Sequence, residues 1–521
     1  MLRKLNKNTI FIAGAFSISI LLALIFEFAF NKVFPQPSFF FSSSRLIANA
    51  VVICGTICFI KYRKYFCHNL HKAFLLLSLI FGIAFILVFP RTVYVSPDDQ
   101  IHFRNAYFFM SDTIELKGEF SAIESKGFTN LGTRAGFSEM AGIYENIDGI
   151  GENIIDGEYH ISESPQLYNR IVYLPFYIGF KLSDALHLTA TKSLVVAKIC
   201  NLIYYIALVY FAIKISGRFS KVFFLVGLLM CNIFLATQFS YDPVVTANLF
   251  LAIGCFLHIM QTKDPSSKYL LGFVIATVIG SLAKAVYCPL LLLVLLIPND
   301  KFDCKKRAIV FKICTMFVML VLASVFVLPM LGGNLASDIR GGNTSVSGQI
   351  DFLLHNPLKA IIVAAYYIGG RLPDYVILGA TGAYMGSGLV YEVCQSITSI
   401  IGITILLVLL RATFTTYLDK SIITNRLKIG LALIYTIIIG SITMSMYLGF
   451  TEVGSMYISG IQPRYFVPVL PLLLIIFMPT KQTHEGKSPK KCDAITVFAP
   501  YVCLMLVFIV YTLQMSHGYM L

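Results

Sequence analysis

Runs of about 20 consecutive apolar residues, enough to carry a helix across roughly 30 Å of hydrocarbon at 1.5 Å per residue, recur along nearly the whole chain and leave few folds open to it. Of 521 residues, 57% are hydrophobic and 13% charged, whereas soluble domains carry about 25% charged residues. The bilayer is therefore the solvent. Because lipid offers no partners to backbone N–H and C=O groups, each apolar run must satisfy its own as a helix, and the fold class is all-α and polytopic. The first run, Thr9 to Phe30, follows a basic start at Arg3, Lys4 and Lys7. It is too long for the apolar part of a signal peptide and has no clear small-residue cleavage site, so it reads as the first anchor.

A net charge of +14 would suit a nucleic-acid binder if the basic residues formed one face. They fall instead in short runs between apolar segments, as the positive-inside rule requires, so the charge encodes topology and no nucleic-acid partner is expected. Clusters at Arg3 to Lys7, Lys61 to Lys72, Lys214 to Lys221, Lys301 to Arg307, Arg411 to Lys428 and Lys481 to Lys491 are placed in the cytoplasm. Spans are then expected near 9–30, 46–62, 73–90, 194–213, 222–239, 243–261, 268–283, 286–298, 309–330, 391–410, 429–449, 465–479 and 494–512, about 13 in all, with the C-terminus outside. Residues 171–182 are apolar but too short to cross, and counting them would reverse the Lys214 turn; they and 353–380 are expected to lie in the interface. The stretch 268–298 must cross and return with short arms, which holds its tip, Ala283-Lys284-Ala285, at membrane depth. The resulting organisation is 1–90 N-terminal spans, 91–193 a large periplasmic loop with interfacial helices, 194–330 central spans, 331–390 a second periplasmic loop with an interfacial helix, and 391–521 C-terminal spans. The twelve cysteines are scattered without a C-x-x-C pair, which argues against a disulfide framework or a zinc site.

The segment 91–170 carries 13 acids against 6 basic residues, about half the 27 acids of the chain. A loop of that length in a compact protein is expected to fold and to serve function. Its sharpest feature is its first turn, Ser96-Pro97-Asp98-Asp99-Gln100-Ile101-His102-Phe103-Arg104, at the membrane mouth. Adjacent carboxylates there can supply a general base and an orienting group or cation ligand; a solvated turn accounts equally for the charge alone. Three further ionisable groups are placed at the same outer ends of spans: Asp242 in Gln238-Phe-Ser-Tyr-Asp-Pro, Lys284 at the hairpin tip, and Arg464 in Gln462-Pro-Arg-Tyr-Phe-Val-Pro. Ionisable groups near membrane depth are costly and mostly functional. Two cations facing two or three acids suit a phosphate-bearing lipid beside a nucleophile that must be deprotonated, although interhelical ion pairs would use the same residues.

These residues also carry a resemblance. Pro97-Asp98-Asp99-Gln-Ile-His102-Phe103 resembles the P-D-E-x-x-H-F signature of a bacterial family of large polytopic membrane proteins allied with the GT-C superfamily of membrane glycosyltransferases. Tyr173-Leu-Pro-Phe, Ala197-Lys-Ile-Cys-Asn-Leu, Phe239-Ser-Tyr-Asp242, Leu282-Ala-Lys284-Ala-Val-Tyr-Cys-Pro289 and Gln462-Pro-Arg464-Tyr-Phe-Val-Pro-Val-Leu-Pro471 follow in the family's order, so the resemblance covers roughly 73–480. The chain departs from the pattern at Asp99, usually Glu, at Lys198, usually Arg, and at Pro463, usually Gly. Asp for Glu shortens the reach by one methylene, which makes a contact through Asp99 less secure than one through Asp98.

The resemblance implies a GT-C-like architecture and an inverting transfer of a sugar, glucose being the expected one, from a polyprenyl-phosphate donor to an O-antigen or other lipid-linked or polymeric cell-envelope glycan. The reaction would run on the periplasmic side of a bacterial inner membrane, with the N-terminus cytoplasmic. In that scheme Asp98 or Asp99 is the catalytic base, Lys284 and Arg464 bind the donor phosphate, and His102, Arg104, Asp242 and Tyr465 bind substrate. No cofactor is required, though Mg or Mn is compatible with adjacent carboxylates. In overall plan the chain is also similar to the serotype-converting O-antigen glucosyltransferases. A polysaccharide polymerase would share the hydropathy profile but is expected to present arginines in its external loops, and a lipid-linked sugar transporter or flippase would place acids and prolines in mid-span.

Overall fold

A computed structural model describes residues 7–33, 42–89, 95–96, 98–109, 170–331, 342–382, 389–419, 423–481 and 494–517. Most of the acidic segment 91–170, including the folded loop expected there, lies outside the described residues. So do the greater parts of the connections 331–345 and 481–493.

Among the described residues the architecture is helical, apart from one parallel pairing of Leu418–Asp419 with Thr480–Lys481. Nine helices are long and apolar enough to cross a membrane, ten if one bent pair counts as a span. Thr9–Ala29, Ser43–Lys61, Leu70–Val88, Ala190–Ile215, Asp242–Gln261, Lys305–Val325, Asn425–Gly449 and Ala494–Thr512 all fall where the apolar runs predict spans. Their starts are set locally. Ser42 caps Ser43–Lys61 by accepting from the Arg45 amide at 3.3 Å, and Thr424 caps Asn425–Gly449 by accepting from Leu427 at 3.1 Å. Each cap removes one of the amide donors that a helix start leaves unpaired.

The expected count of 13 is corrected in three ways. The run expected at 222–239 is not one helix: Gly217–Gly227 and Met230–Ala236 meet at 69°. Four other expected spans fall short of spanning length among the described residues, as Ser267–Leu282, Ala285–Leu296, Ser399–Thr415 and Pro463–Phe477. Prolines account for part of this, since Pro289, Pro463, Pro468 and Pro471 remove amide donors and favour the tighter 3-10 stretches Ala285–Leu292 and Pro463–Val469. Conversely, Pro357–Thr381, expected in the interface, is a continuous 25-residue helical run long and apolar enough to span. A short π-helical stretch at Tyr367–Arg371 carries it through the Gly369-Gly370 pair. The 171–182 segment is a 3-10 turn followed by the helix Leu174–Ala185, too short to span, as expected.

Asp242–Gln261 is the central helix, with 89% of its span buried against 17% for Thr9–Ala29 and for Lys305–Val325. It packs between Ala190–Ile215 and Ser267–Leu282. Small residues bring helices into close contact, as is usual where lipid gives no hydrophobic drive for helix association. A Cβ on Gly179 would stand 2.5 Å from Ala197 Cα, and one on Gly379 would stand 2.6 Å from the Pro463 carbonyl oxygen. Glu27 and Arg45 join the first two helices through two bonds of 2.6 Å, Arg45 Nε to Oε1 and Nη2 to Oε2. Cys231, Cys255, Cys288 and Cys503 are buried free thiols.

Candidate functional site

Four segments distant in sequence bring their N-terminal ends to one place. Asp98 precedes the helix Asp99–Tyr107, Asp242 opens Asp242–Gln261, Lys284 precedes the 3-10 start of Ala285–Leu296, and Arg464 is the second residue of Pro463–Phe477. Asp242 is the hub. Its Oδ1 accepts from Lys284 Nζ at 2.6 Å, and its Oδ2 lies 3.1 Å from Arg464 Nε. Arg464 Nη2 in turn stands 4.0 Å from Asp98 Oδ2. The side chains of Asp242, Lys284 and Arg464 are 13%, 15% and 6% exposed, whereas Asp98 is 32% exposed. The cluster therefore has a dry floor and one accessible carboxylate.

Aromatic rings wall this floor. Lys284 Nζ lies 4.0 Å from the Tyr465 ring centroid and 5.1 Å from that of Tyr241, within the range of cation–π attraction. The Tyr287 hydroxyl donates to the Tyr465 carbonyl at 2.7 Å, which ties the two half-length segments that carry the cations. His102 sits one turn beyond Asp98. Its Nδ1 is 2.8 Å from the Tyr173 hydroxyl, to which Asn105 Nδ2 also donates at 3.3 Å, and its ring meets Tyr241 edge-on at 4.7 Å. Burial lowers the His102 pKa to about 4 against the pull of Asp242 and Asp98, so at neutral pH it is an uncharged hydrogen-bonding group.

The expectation that Asp98 and Asp99 act as a pair is corrected. Asp98 stands before the helix and Asp99 is its first residue, and these two have different partners. Asp98 adopts a left-handed conformation at φ 59°, one that Asp tolerates better than most residues, and its carbonyl accepts from the amides of Ile101 and His102, both at 3.0 Å. Asp99 is fully buried, and its Oδ2 accepts from the amides of Val95 at 3.0 Å and Ser96 at 3.4 Å. Burial pushes the Asp99 carboxyl up to about 6, with Lys198 and the amides of Val95, Ser96 and Phe239 pulling the other way. Asp99 thus braces the turn that presents Asp98. Lys198 donates to Gln238 at 3.0 Å and lies 5.4 Å from the Phe239 ring centroid, buried close enough for its charge to act on Asp99.

Of the residues singled out by sequence, Asp98, Asp242, Lys284, Arg464, Tyr465 and His102 come together, Asp99 turns inward, and Arg104 lies half-buried two residues past His102 on the same helix. Among the described residues no group of three or more His, Cys, Asp and Glu side chains converges to hold a metal ion. With Asp99 bonded to the backbone, Asp98 is left to offer a single carboxylate to the expected Mg or Mn. Tyr173, Tyr241 and Tyr287 were missed as site residues, although each lies inside one of the ordered motifs, Tyr241 next to Asp242 and Tyr287 three residues past Lys284.

Fold and cluster together define a polytopic helical membrane protein with a buried charge cluster at one end of its spans. The chain belongs to the DUF2142 family of predicted membrane proteins, whose family pattern matches residues 79–473 and so takes in all four charged positions. That membership carries no activity with it. Comparison with curated proteins and with solved structures yields no match.

Proposed function

We propose that the chain is a membrane glycosyltransferase that moves a sugar, glucose in the simplest case, from a polyprenyl-phosphate donor to an O-antigen or other cell-envelope glycan on the periplasmic side of a bacterial inner membrane. The observation that carries this reading is the convergence of Lys284 and Arg464 on one carboxylate, Asp242, beside a second and more accessible one, Asp98. Helix N-termini favour anions, and the segments that open at this cluster add that field to the two cations. The donor's phosphate would sit against Lys284 and Arg464, the latter suited to a bidentate contact.

In the transfer, the acceptor hydroxyl oxygen attacks the anomeric carbon while the bond from that carbon to the phosphate oxygen breaks. The hydroxyl proton passes to the Asp98 carboxylate, and the bonding pair leaves with polyprenyl phosphate, whose growing charge Lys284 and Arg464 stabilise. Attack opposite the leaving group inverts the anomeric centre. Asp98 is also the residue the phosphate would release, since a phosphate on Arg464 competes with the 4.0 Å contact and leaves the carboxylate free to take a proton. His102, Tyr173 and Asn105 form a neutral hydrogen-bonding surface on the same side, suited to sugar hydroxyls.

A proton-coupled transporter would use acids in mid-span as proton carriers. Glu27 lies near the end of the first span and not in its middle, and both of its oxygens are bonded to Arg45, which supports a structural use. The decisive comparison is glycan composition in cells carrying Asp98→Asn or Asp99→Asn. Asp98→Asn is expected to insert normally and abolish modification, and Asp99→Asn to retain most of it. Unchanged glycan in the Asp98→Asn cells would refute the scheme.

A further inference from the structure

A cavity of about 560 Å³ opens from the far side of Lys284, enclosed by the Ala283–Pro289 stretch and by parts of the helices Lys305–Leu331, Val346–His355 and Asn425–Gly449. Its walls are mainly apolar, with Ala323, Ile350 and Met444 among them, and among the described residues Lys284 is the one charged side chain lining it. Ser441 also faces it, but its hydroxyl already donates to the Ile437 carbonyl at 2.9 Å. Tyr465 and Lys284 belong both to the cavity wall and to the charge cluster. The helix Lys305–Val325, which supplies Ala323, is 17% buried over its span, so this wall borders the lipid.

We infer that this cavity is the seat of a single hydrocarbon chain bonded directly to a phosphate, the isoprenoid segment of a prenyl phosphate nearest its head group. The inference rests on the transferase reading for the identity of the head group, and the shape of the site narrows the class. Because Lys284 lines charge cluster and cavity alike, no distance separates the place for an anion from the place for a chain. A glycerophospholipid interposes a glycerol and divides into two chains, whereas a prenyl phosphate joins one chain to the phosphate without a spacer. The volume falls in the range of pockets that enclose one small-molecule-sized body, so the cavity takes the first isoprene units and the remainder of the chain passes into the bilayer. Lys284 and Arg464, which share the one carboxylate of Asp242, set two cations at the end of an apolar chamber and so favour an anionic head over a neutral alcohol.

The test uses the full chain in mild detergent with undecaprenyl phosphate, phosphatidylglycerol or inorganic phosphate as the probe, read by native mass spectrometry. Ser445→Phe and Ala323→Phe fill the cavity from two different walls. Each is expected to weaken undecaprenyl phosphate binding at least tenfold while leaving the response to inorganic phosphate unchanged. A photoreactive prenyl phosphate on the unaltered protein is expected to label residues 283–289 and 441–448, a result that does not depend on how the variants fold. Binding unchanged in both variants, equal competition by phosphatidylglycerol, or labelling confined to other segments overturns the inference. If the labelling is as expected but Asp98→Asn leaves glycan modification intact, the chain seat stands and the transferase reading falls; the reverse pattern separates them the other way.

Discussion

Asp242 carries more of the cluster's stability than either cation, and the asymmetry can be measured. Lys284→Met removes one partner but leaves Asp242 3.1 Å from Arg464, so the loss is one charge-assisted contact, about 1.5–3 kcal/mol. Asp242→Asn leaves two buried cations facing each other with no anion between them, and breaking a buried ion pair from one side costs about 3–5 kcal/mol. Asp242→Asn is therefore expected to be the less stable variant. It should also be the one that an added anion rescues, since phosphate can take the place of the missing carboxylate. Ligand present at 100 times its Kd stabilises by about 2.7 kcal/mol, enough to close most of the gap. The chain has no tryptophan, so unfolding is best followed by far-UV circular dichroism in detergent, with and without inorganic phosphate. Equal destabilisation by the two variants, or equal phosphate rescue, would show that Asp242 is not the hub on which both cations depend.

Three other expectations follow from single residues. Burial raises the Asp99 carboxyl to about 6 from about 4 in an unfolded chain: below pH 4 it is protonated in both states and costs nothing, between pH 4 and 6 the folded state holds the extra proton and loses stability as pH rises, and above pH 6 the full cost of about 2–3 kcal/mol is present. Asp99→Asn should flatten that part of the stability–pH curve, and an unaltered slope would contradict the buried placement. Gly379→Ala pushes a methyl to 2.6 Å from the Pro463 carbonyl, displacing the backbone next to Arg464; a loss of about 1–3 kcal/mol together with weaker phosphate rescue is expected, and normal rescue would mean that the segment moves without carrying Arg464. For topology, Ile101→Cys places a thiol at a position that is 42% exposed, whereas residue 99 is closed to any reagent; labelling from the cytoplasmic side alone would invert the proposed orientation.

What sequence could and could not reveal here divides along a physical line. Hydropathy is a property of one helix and water, so the spans at Leu70–Val88 or Asn425–Gly449 are legible without reference to any neighbour. Breaks are set by backbone donors and by what lies alongside, which is why 222–239 looked continuous although the chain bends by 69° inside it. Residues 353–380, expected in the interface, held back their spanning length for a related reason: the helical run Pro357–Thr381 is long enough to cross. Lys359, Arg371 and Asp374 interrupt the run, whose most apolar 18-residue stretch reaches a mean hydropathy of only 1.3, and parity arguments could absorb or omit such a segment without visible penalty.

The charge cluster was legible for a different reason. Membrane depth makes an ionisable side chain expensive, so Asp242, Lys284 and Arg464 stood out singly against apolar surroundings, and their common placement at the outer ends of spans put them on one face before any contact was known. Asp98 and Asp99 lacked that contrast. They sit together in a polar turn, where adjacency in sequence suggests adjacency of function, and only the helix start decides otherwise: the left-handed Asp98 before it and the helical Asp99 within it send one carboxylate to Arg464 at 4.0 Å and the other to the amides of Val95 and Ser96. The P-D-E-x-x-H-F signature that this turn resembles has Glu at the second position. A brace that reaches back to its own turn depends on side-chain length, and a shorter Asp99 lies within the charge field of Lys198, so the two positions that depart from the resembled pattern lie in one buried contact region. If they compensate one another, restoring both, as Asp99→Glu with Lys198→Arg, should be tolerated better than either alone. That double-variant cycle would place the departures in the support of Asp98 and not in the chemistry it performs.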